Sequence, residues 1–114
     1  MLQGNKLVFY YSKTVMTPSY NLAQKQTDLY GAILSLKSLE ECRRFFRDLL
    51  TEDELKSLSE RWHVVRCLER GLSYREINNL TGLSLTTITR VAKWYRSGTG
   101  GYRRILKRVV GKGR

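Results

Sequence analysis

The sequence predicts an all-α protein of six helices organised around a helix-turn-helix, and three observations carry that expectation. Apolar residues recur at helical intervals in one segment after another, and no segment alternates with the two-residue period of a strand. Helix starts and stops are spelled out locally, by Ser/Thr caps with glutamate three residues on and by glycines where helices end. The chain is strongly basic, at +11 over 114 residues, and the whole excess lies in its second half.

Residues 1–25 contain the single proline, Pro18, and show no helical period. They read as an N-terminal arm, loose or draped over a partner, with Met16 as a second candidate start. Helices are expected over 26–36, 38–49, 52–70, 74–81, 85–97 and 101–110, with residues 111–114 as a basic tail. Three of them open on a capping box, Ser38 to Glu41, Thr51 to Glu54 and Ser73 to Glu76, in which hydroxyl and carboxylate each take a free backbone N–H. Leu50 with Leu55 and Leu72 with Ile77 add hydrophobic staples. Ser84 offers a further cap, stapled by Leu83 and Ile88. Gly71, Gly82 and Gly98 suit the left-handed residue that ends a helix. Within the elements, Leu39, Cys42, Phe46 and Leu49 share one face. Leu55, Leu58, Trp62, Val65 and Leu68 share another, and Ile105, Leu106, Val109 and Val110 a third.

Composition narrows the function. Hydrophobic residues make up 41% of the chain, enough for a folded body. Residues 1–60 are neutral, whereas residues 61–114 set thirteen Lys/Arg against Glu69 and Glu76. Such a half attracts phosphate backbones, because neutralising phosphates releases condensed counterions. No stretch approaches the ~18 apolar residues of a membrane span, and Leu7 to Tyr11 is too short for a signal-peptide core. Cys42 and Cys67 fall at helical positions that read as buried, and isolated thiols fit a reducing cytosol. The expected location is the bacterial cytoplasm, at the nucleoid. His63 has no Cys or His at ligand spacing, so no metal is expected. No cofactor is expected either, and no nucleophile–base pair or phosphate-cradling loop suggests an enzyme. Glu40-Glu41 and Glu52-Asp53-Glu54 read as first-turn charges favoured by the helix dipole.

The segment from Ser73 to Val91 fits a helix-turn-helix. A short helix ends at Gly82, which permits the tight turn, and Ser84 caps the second helix. Ile77, Leu80, Leu83, Ile88 and Val91 are spaced to form its small core. Ser84, Leu85, Thr86, Thr87, Thr89 and Arg90 crowd the N-terminal half of the second helix, the part that enters a major groove in this motif. Small polar side chains let the helix approach closely and reach base edges or phosphates. Where many such motifs have alanine or glycine midway along the first helix, this chain has Ile77 and Asn78.

Leu50-Thr51-Glu52-Asp53-Glu54 through Gly71, then Arg75-Glu76-Ile77 through Thr87-Ile88-Thr89-Arg90, resembles the Trp repressor superfamily. Ala32 to Cys42, Phe45 to Leu49 and Gly100-Gly101-Tyr102 bring the chain closest to the YerC/YecD-type branch, and the likeness covers residues 26–108. The resemblance implies an intertwined homodimer that presents two motifs, about one DNA turn apart, to a palindromic operator. It implies Arg75 as a base reader, Asn78, Ser84, Leu85, Thr86 and Thr89 at the DNA surface, and Tyr74 and Lys93 on phosphates. It also places Thr51, Arg61, Arg90, Val91 and Trp94 at the repressor's effector pocket. Arg61 and Arg90 match the two arginines that sandwich an indole. Val91 stands where the repressor has glycine, and Trp94 where it has the serine that receives the ligand's amino group. L-tryptophan is therefore not expected as corepressor, and Trp94 is expected to cover the pocket, stacked on an arginine, or to lie in the core.

The expected function is a DNA-binding transcriptional regulator, repressor-like, with double-stranded DNA and a second copy of the chain as partners. Two other classes compete. A transposase-type accessory domain would use a related helical unit. A non-specific nucleic-acid binder is the other; its RNA-binding form would rely on aromatic stacking or on loops gripping single strands, and Trp62, Trp94, Phe45 and Phe46 fall mostly on core-like faces.

Overall fold

The structure, a computed structural model, describes residues 20–112, so residues 1–19 of the expected arm and the last two residues of the tail lie outside it. Six helices and no strand occur among the described residues: α1 (Leu22–Leu34), α2 (Leu39–Leu49), α3 (Glu52–Glu69), α4 (Tyr74–Thr81), α5 (Leu85–Ser97) and α6 (Gly101–Lys112). The chain divides into two compact units, one ending at Asp48 and the other beginning at Leu49.

In the first unit, α1 starts four residues earlier than expected and takes the end of the arm with it. Asn21 is the cap: its Oδ1 accepts from the Gln24 N–H at 2.9 Å, and Gln24 Oε1 accepts from the Asn21 N–H at 2.7 Å. This is a capping box written with amides, which the Ser/Thr–Glu pattern does not detect. The box expected at Ser38 closes differently. Ser38 Oγ accepts from the Glu41 N–H, but the Glu41 carboxylate accepts from the N–H of Lys37, one residue earlier. α2 buries no residue. Phe45 and Phe46 meet edge to face at 5.3 Å, and Cys42 is only half-buried, contrary to the expectation from its position.

The second unit holds the core. Val64, Val65, Cys67 and Leu68 of α3 pack with Ile77 of α4, Ile88, Val91 and Ala92 of α5 and Leu106 of α6. The apolar face expected along α3 is buried only in its C-terminal half: Leu55 and Leu58 are 39% and 44% exposed. α3 ends in a Schellman turn, with the Leu72 N–H on the Cys67 carbonyl and the Gly71 N–H on the Leu68 carbonyl. That turn seats Leu72 against the core and aims the chain into α4. Gly82 adopts the left-handed conformation, φ +76°, as expected. Gly98 does not. Its backbone is extended (φ −82°, ψ −157°), and Gly100 takes the left-handed place at φ +90°. Gly98 has a different reason to be glycine, since a Cβ there would collide with the Trp94 carbonyl oxygen.

Candidate nucleic-acid interface

α4, its turn and α5 form a rigid helix-turn-helix. Ser73 Oγ accepts from the Glu76 N–H, and the Glu76 carboxylate accepts from the Ser73 N–H at 2.8 Å. These bonds to Ser73, backbone first, favour the ionised carboxylate and hold Glu76 below the usual glutamate range. Across the turn, Thr81 Oγ1 donates to the Ile77 carbonyl and accepts from the Leu83 N–H. The Asn78 side-chain amide donates to the Leu83 carbonyl at 2.7 Å. Asn78 thus braces the turn with the nitrogen that its expected DNA role would have left free. Ser84 caps α5 by accepting from the Thr87 N–H, and its hydroxyl donates to Thr87 Oγ1. The first turn of α5 has no acidic residue, so the positive end of its dipole stays available to phosphate.

Packing settles which side chains point outward. Ile77 and Ile88 are fully buried and Val91 nearly so, which locks the two helices together. Leu83 joins them half-buried, whereas Leu80, expected in the same core, is 64% exposed. Arg75, Ser84, Leu85, Thr86, Thr89, Arg90 and Lys93 are exposed. Thr86, Thr89 and Lys93, spaced three and four apart, share one outer face of α5, with Arg90 beside them. Thr87 is half-buried and serves the cap rather than that face. Tyr74 packs its ring on the core. Arg96 lies 5.4 Å over that ring and donates to its hydroxyl, leaving the phenolic proton free to reach a phosphate. Arg96 escaped the sequence reading, because nothing local links residues that far apart.

Arg61, Arg90, Val91 and Trp94 do come together. With Ser57, Thr87 and Tyr102 they line an open cavity of about 330 Å³. Thr51 does not line it; its hydroxyl caps α3 by accepting from the Glu54 N–H. Trp94 is 59% exposed, so it is not a core residue, and the cation over its ring is Lys93 at 5.7 Å rather than an arginine. Cys67 is buried with its sulfur 3.8 Å from His63 Nε2, and no group of three potential metal ligands occurs among the described residues.

Comparison with known proteins decides the family. The family model described as Trp repressor protein matches residues 24–110. The chain belongs to the Trp repressor family. It is 46% identical over 89 residues to the uncharacterized protein YerC of Bacillus subtilis (strain 168), covering 77% of this chain and 86% of that one. A crystal structure of a TrpR-like protein from Eubacterium eligens ATCC 27750 superposes with a TM-score of 0.70 at 40% identity, covering 78% of this chain and 90% of that one. A Staphylococcus aureus crystal structure, of a candidate Trp repressor, gives the same TM-score at 39% identity over 74% and 84% of the two chains. The Trp repressor family is one of DNA-binding regulators rather than enzymes, and a DNA-binding regulatory role follows for this chain. No helix among the described residues is long and apolar enough to cross a membrane.

Proposed function

We propose that this protein is a sequence-specific transcriptional regulator, repressor-like, that binds a palindromic operator as a homodimer through α4 and α5. The observation that carries this reading is the outer face of α5. Thr86, Thr89, Arg90 and Lys93 stand exposed on a capped helix that Ile77 and Ile88 hold rigid. A helix offering hydroxyls and cations without a carboxylate suits a major groove, where phosphates flank acceptor-rich base edges. Arg75, exposed on the first turn of α4, is the proposed bidentate reader of guanine, with Leu85 and Ser84 at the groove floor. Tyr74, Lys93 and Arg90 are proposed on phosphates, and Asn78 acts chiefly by holding the turn.

We further propose that L-tryptophan is not the corepressor. Val91 and Trp94 occupy the cavity wall, and neither offers an acceptor for an ammonium group. Selection of bound sites from randomised duplex DNA tests the main reading. Two inverted half-sites about 10 base pairs apart, centre to centre, are expected for a symmetric dimer. An asymmetric consensus, or none, would overturn it.

A further inference from the structure

α6 divides lengthwise into two halves of different chemistry. Leu106 is buried in the core, and Tyr102 and Val110, one turn to either side, pack there too. Arg104 and Arg108 each stand two residues from Leu106, about 200° around a helix of 3.6 residues per turn. Their exposed side chains are therefore directed away from the body of the unit, and exposed Lys107, about 100° around the helix from Leu106, stands at the edge of that face, beside the groove shared with Tyr95. The helix carries no carboxylate, and Arg104, Lys107 and Arg108 enter no ion pair among the described residues.

The position of α6 relative to the groove-reading face follows from Tyr95. Thr86 and Tyr95 lie nine residues apart on α5, about 180° around the helix, and Lys93 and Tyr95 about 200°. The Arg103 guanidinium sits 5.2 Å over the Tyr95 ring, and its Nε donates to the Tyr95 carbonyl at 3.0 Å. Tyr95, Arg103, Leu106, Lys107 and Val110 line one open groove of about 450 Å³, with Glu69 on its wall. α6 thus packs behind α5, and its outer face looks away from Thr86 and Lys93.

We propose that the outer face of α6, formed by Arg104, Lys107 and Arg108, is a second contact surface for DNA, sequence-independent, which grips the phosphate backbone of a second duplex. The inference rests on the reading of α4 and α5 as the operator-binding motif. Three cations within five residues, without a carboxylate among them, offer charge and no shape. That is what a phosphate backbone accepts whatever its sequence. An operator seated on Thr86 and Lys93 lies on the opposite side of α5, so the duplex held by α6 is a different one.

A bridging assay tests this. A tethered duplex taken from the site selection is loaded with the full-length protein and offered a fluorescent duplex of unrelated sequence. The wild-type protein is expected to retain the second duplex. The triple variant Arg104→Gln/Lys107→Gln/Arg108→Gln should lower that capture about tenfold or more at moderate salt, and flatten its log–log salt slope by about 0.9 for each phosphate no longer neutralised. Its binding to the tethered duplex, and its helix content by circular dichroism, should stay unchanged. The charge-keeping Arg104→Lys/Arg108→Lys variant should still bridge. Wild-type protein that binds the tethered duplex but captures no other would overturn the inference alone. So would a triple variant that bridges normally, or one that loses the tethered duplex equally, which would put α6 on the first duplex. Stronger competition by polyglutamate than by duplex would assign the face to an acidic protein instead. Wild-type protein that binds no duplex would overturn the operator-binding reading itself.

Discussion

Arg75 stands exposed on the first turn of α4, directly after Tyr74, whose ring is anchored in the core and held by Arg96. Its backbone is therefore fixed while its guanidinium is free, the combination that a bidentate contact needs. Arg75→Ala is expected to leave thermal stability unchanged and to cost about 1–3 kcal/mol of discrimination at one base pair. Competition binding with single-mismatch operators checks it, and unchanged discrimination would remove the assignment. Thr86→Ala should relax preference in the same way at a neighbouring position. The second prediction at this scale concerns Val91 and Trp94. With a branched side chain and an indole on the cavity wall, a free amino acid would lose the space of a glycine and the hydroxyl expected to receive its ammonium, and each polar group left without its partner weakens binding by about 1–3 kcal/mol. Calorimetric titration with L-tryptophan should give no micromolar binding. Saturable micromolar heat, with DNA affinity raised in the same solution, would contradict the expectation. Both expectations came from the resemblance to the Trp repressor superfamily, which did not foretell the exposure of Trp94. Its burial depends on what α3 and α6 place beside it, and local pattern does not carry that.

At the scale of the elements, caps decide where helices begin. Thr51 with Glu54 and Ser73 with Glu76 form complete capping boxes, and hydrogen bonds to the cap residues hold both carboxylates below the ordinary glutamate value of 4.5. A carboxyl that is more acidic in the folded chain adds stability above its unfolded pKa, and that stability is lost as pH falls through the lowered folded value. The midpoint of thermal unfolding should therefore drop as pH is taken below about 4.5. Glu76→Gln keeps an acceptor for the Ser73 N–H without a titrating group, so its midpoint should vary less with pH than that of the wild type. Equal pH dependence in the two proteins would show that the box contributes nothing measurable. The C-terminal end of α5 obeys a different rule. Gly98→Ala must displace the Trp94 carbonyl, and a loss of about 1–3 kcal/mol is expected from such overpacking, read by denaturant unfolding. Glycine counting placed this stop correctly and explained it wrongly. An extended glycine against a carbonyl and a left-handed glycine look alike in a sequence.

For the molecule as a whole, apolar surface is left uncovered on both units. Leu34 and Leu39 in the first, and Leu55, Leu58, Ile105 and Val109 in the second, are all exposed large hydrophobic residues. A chain this small rarely leaves so many unburied without a partner surface. Sedimentation equilibrium at micromolar concentration should return twice the 13.3 kDa chain mass. The monomer mass would contradict the homodimer and, with it, the palindromic operator.

Among the described residues, helix number, helix type and the position of the helix-turn-helix were determined by the sequence alone. They depend on groups a few residues apart: a hydroxyl and the N–H three positions on, a glycine where the chain must turn, an apolar residue every third or fourth place. α4 and α5 have the same bounds in the structure as in that reading, 74–81 and 85–97. The amide-built cap at Asn21 was just as local, and a broader notion of the capping box would have found it. Only the tertiary structure decided which apolar residues go inside. Leu80, Leu55 and Leu58 keep good helical phase yet stay exposed, while Val64, outside the expected stripe, is fully buried. Phase tells which side chains share a face. Burial depends on which other helix arrives at that face and how far along it reaches. For the same reason the gathering of Arg61, Arg90, Val91 and Trp94 around one cavity, and the placing of α6 behind α5, belong to the packing of the second unit and to no segment of the chain read by itself.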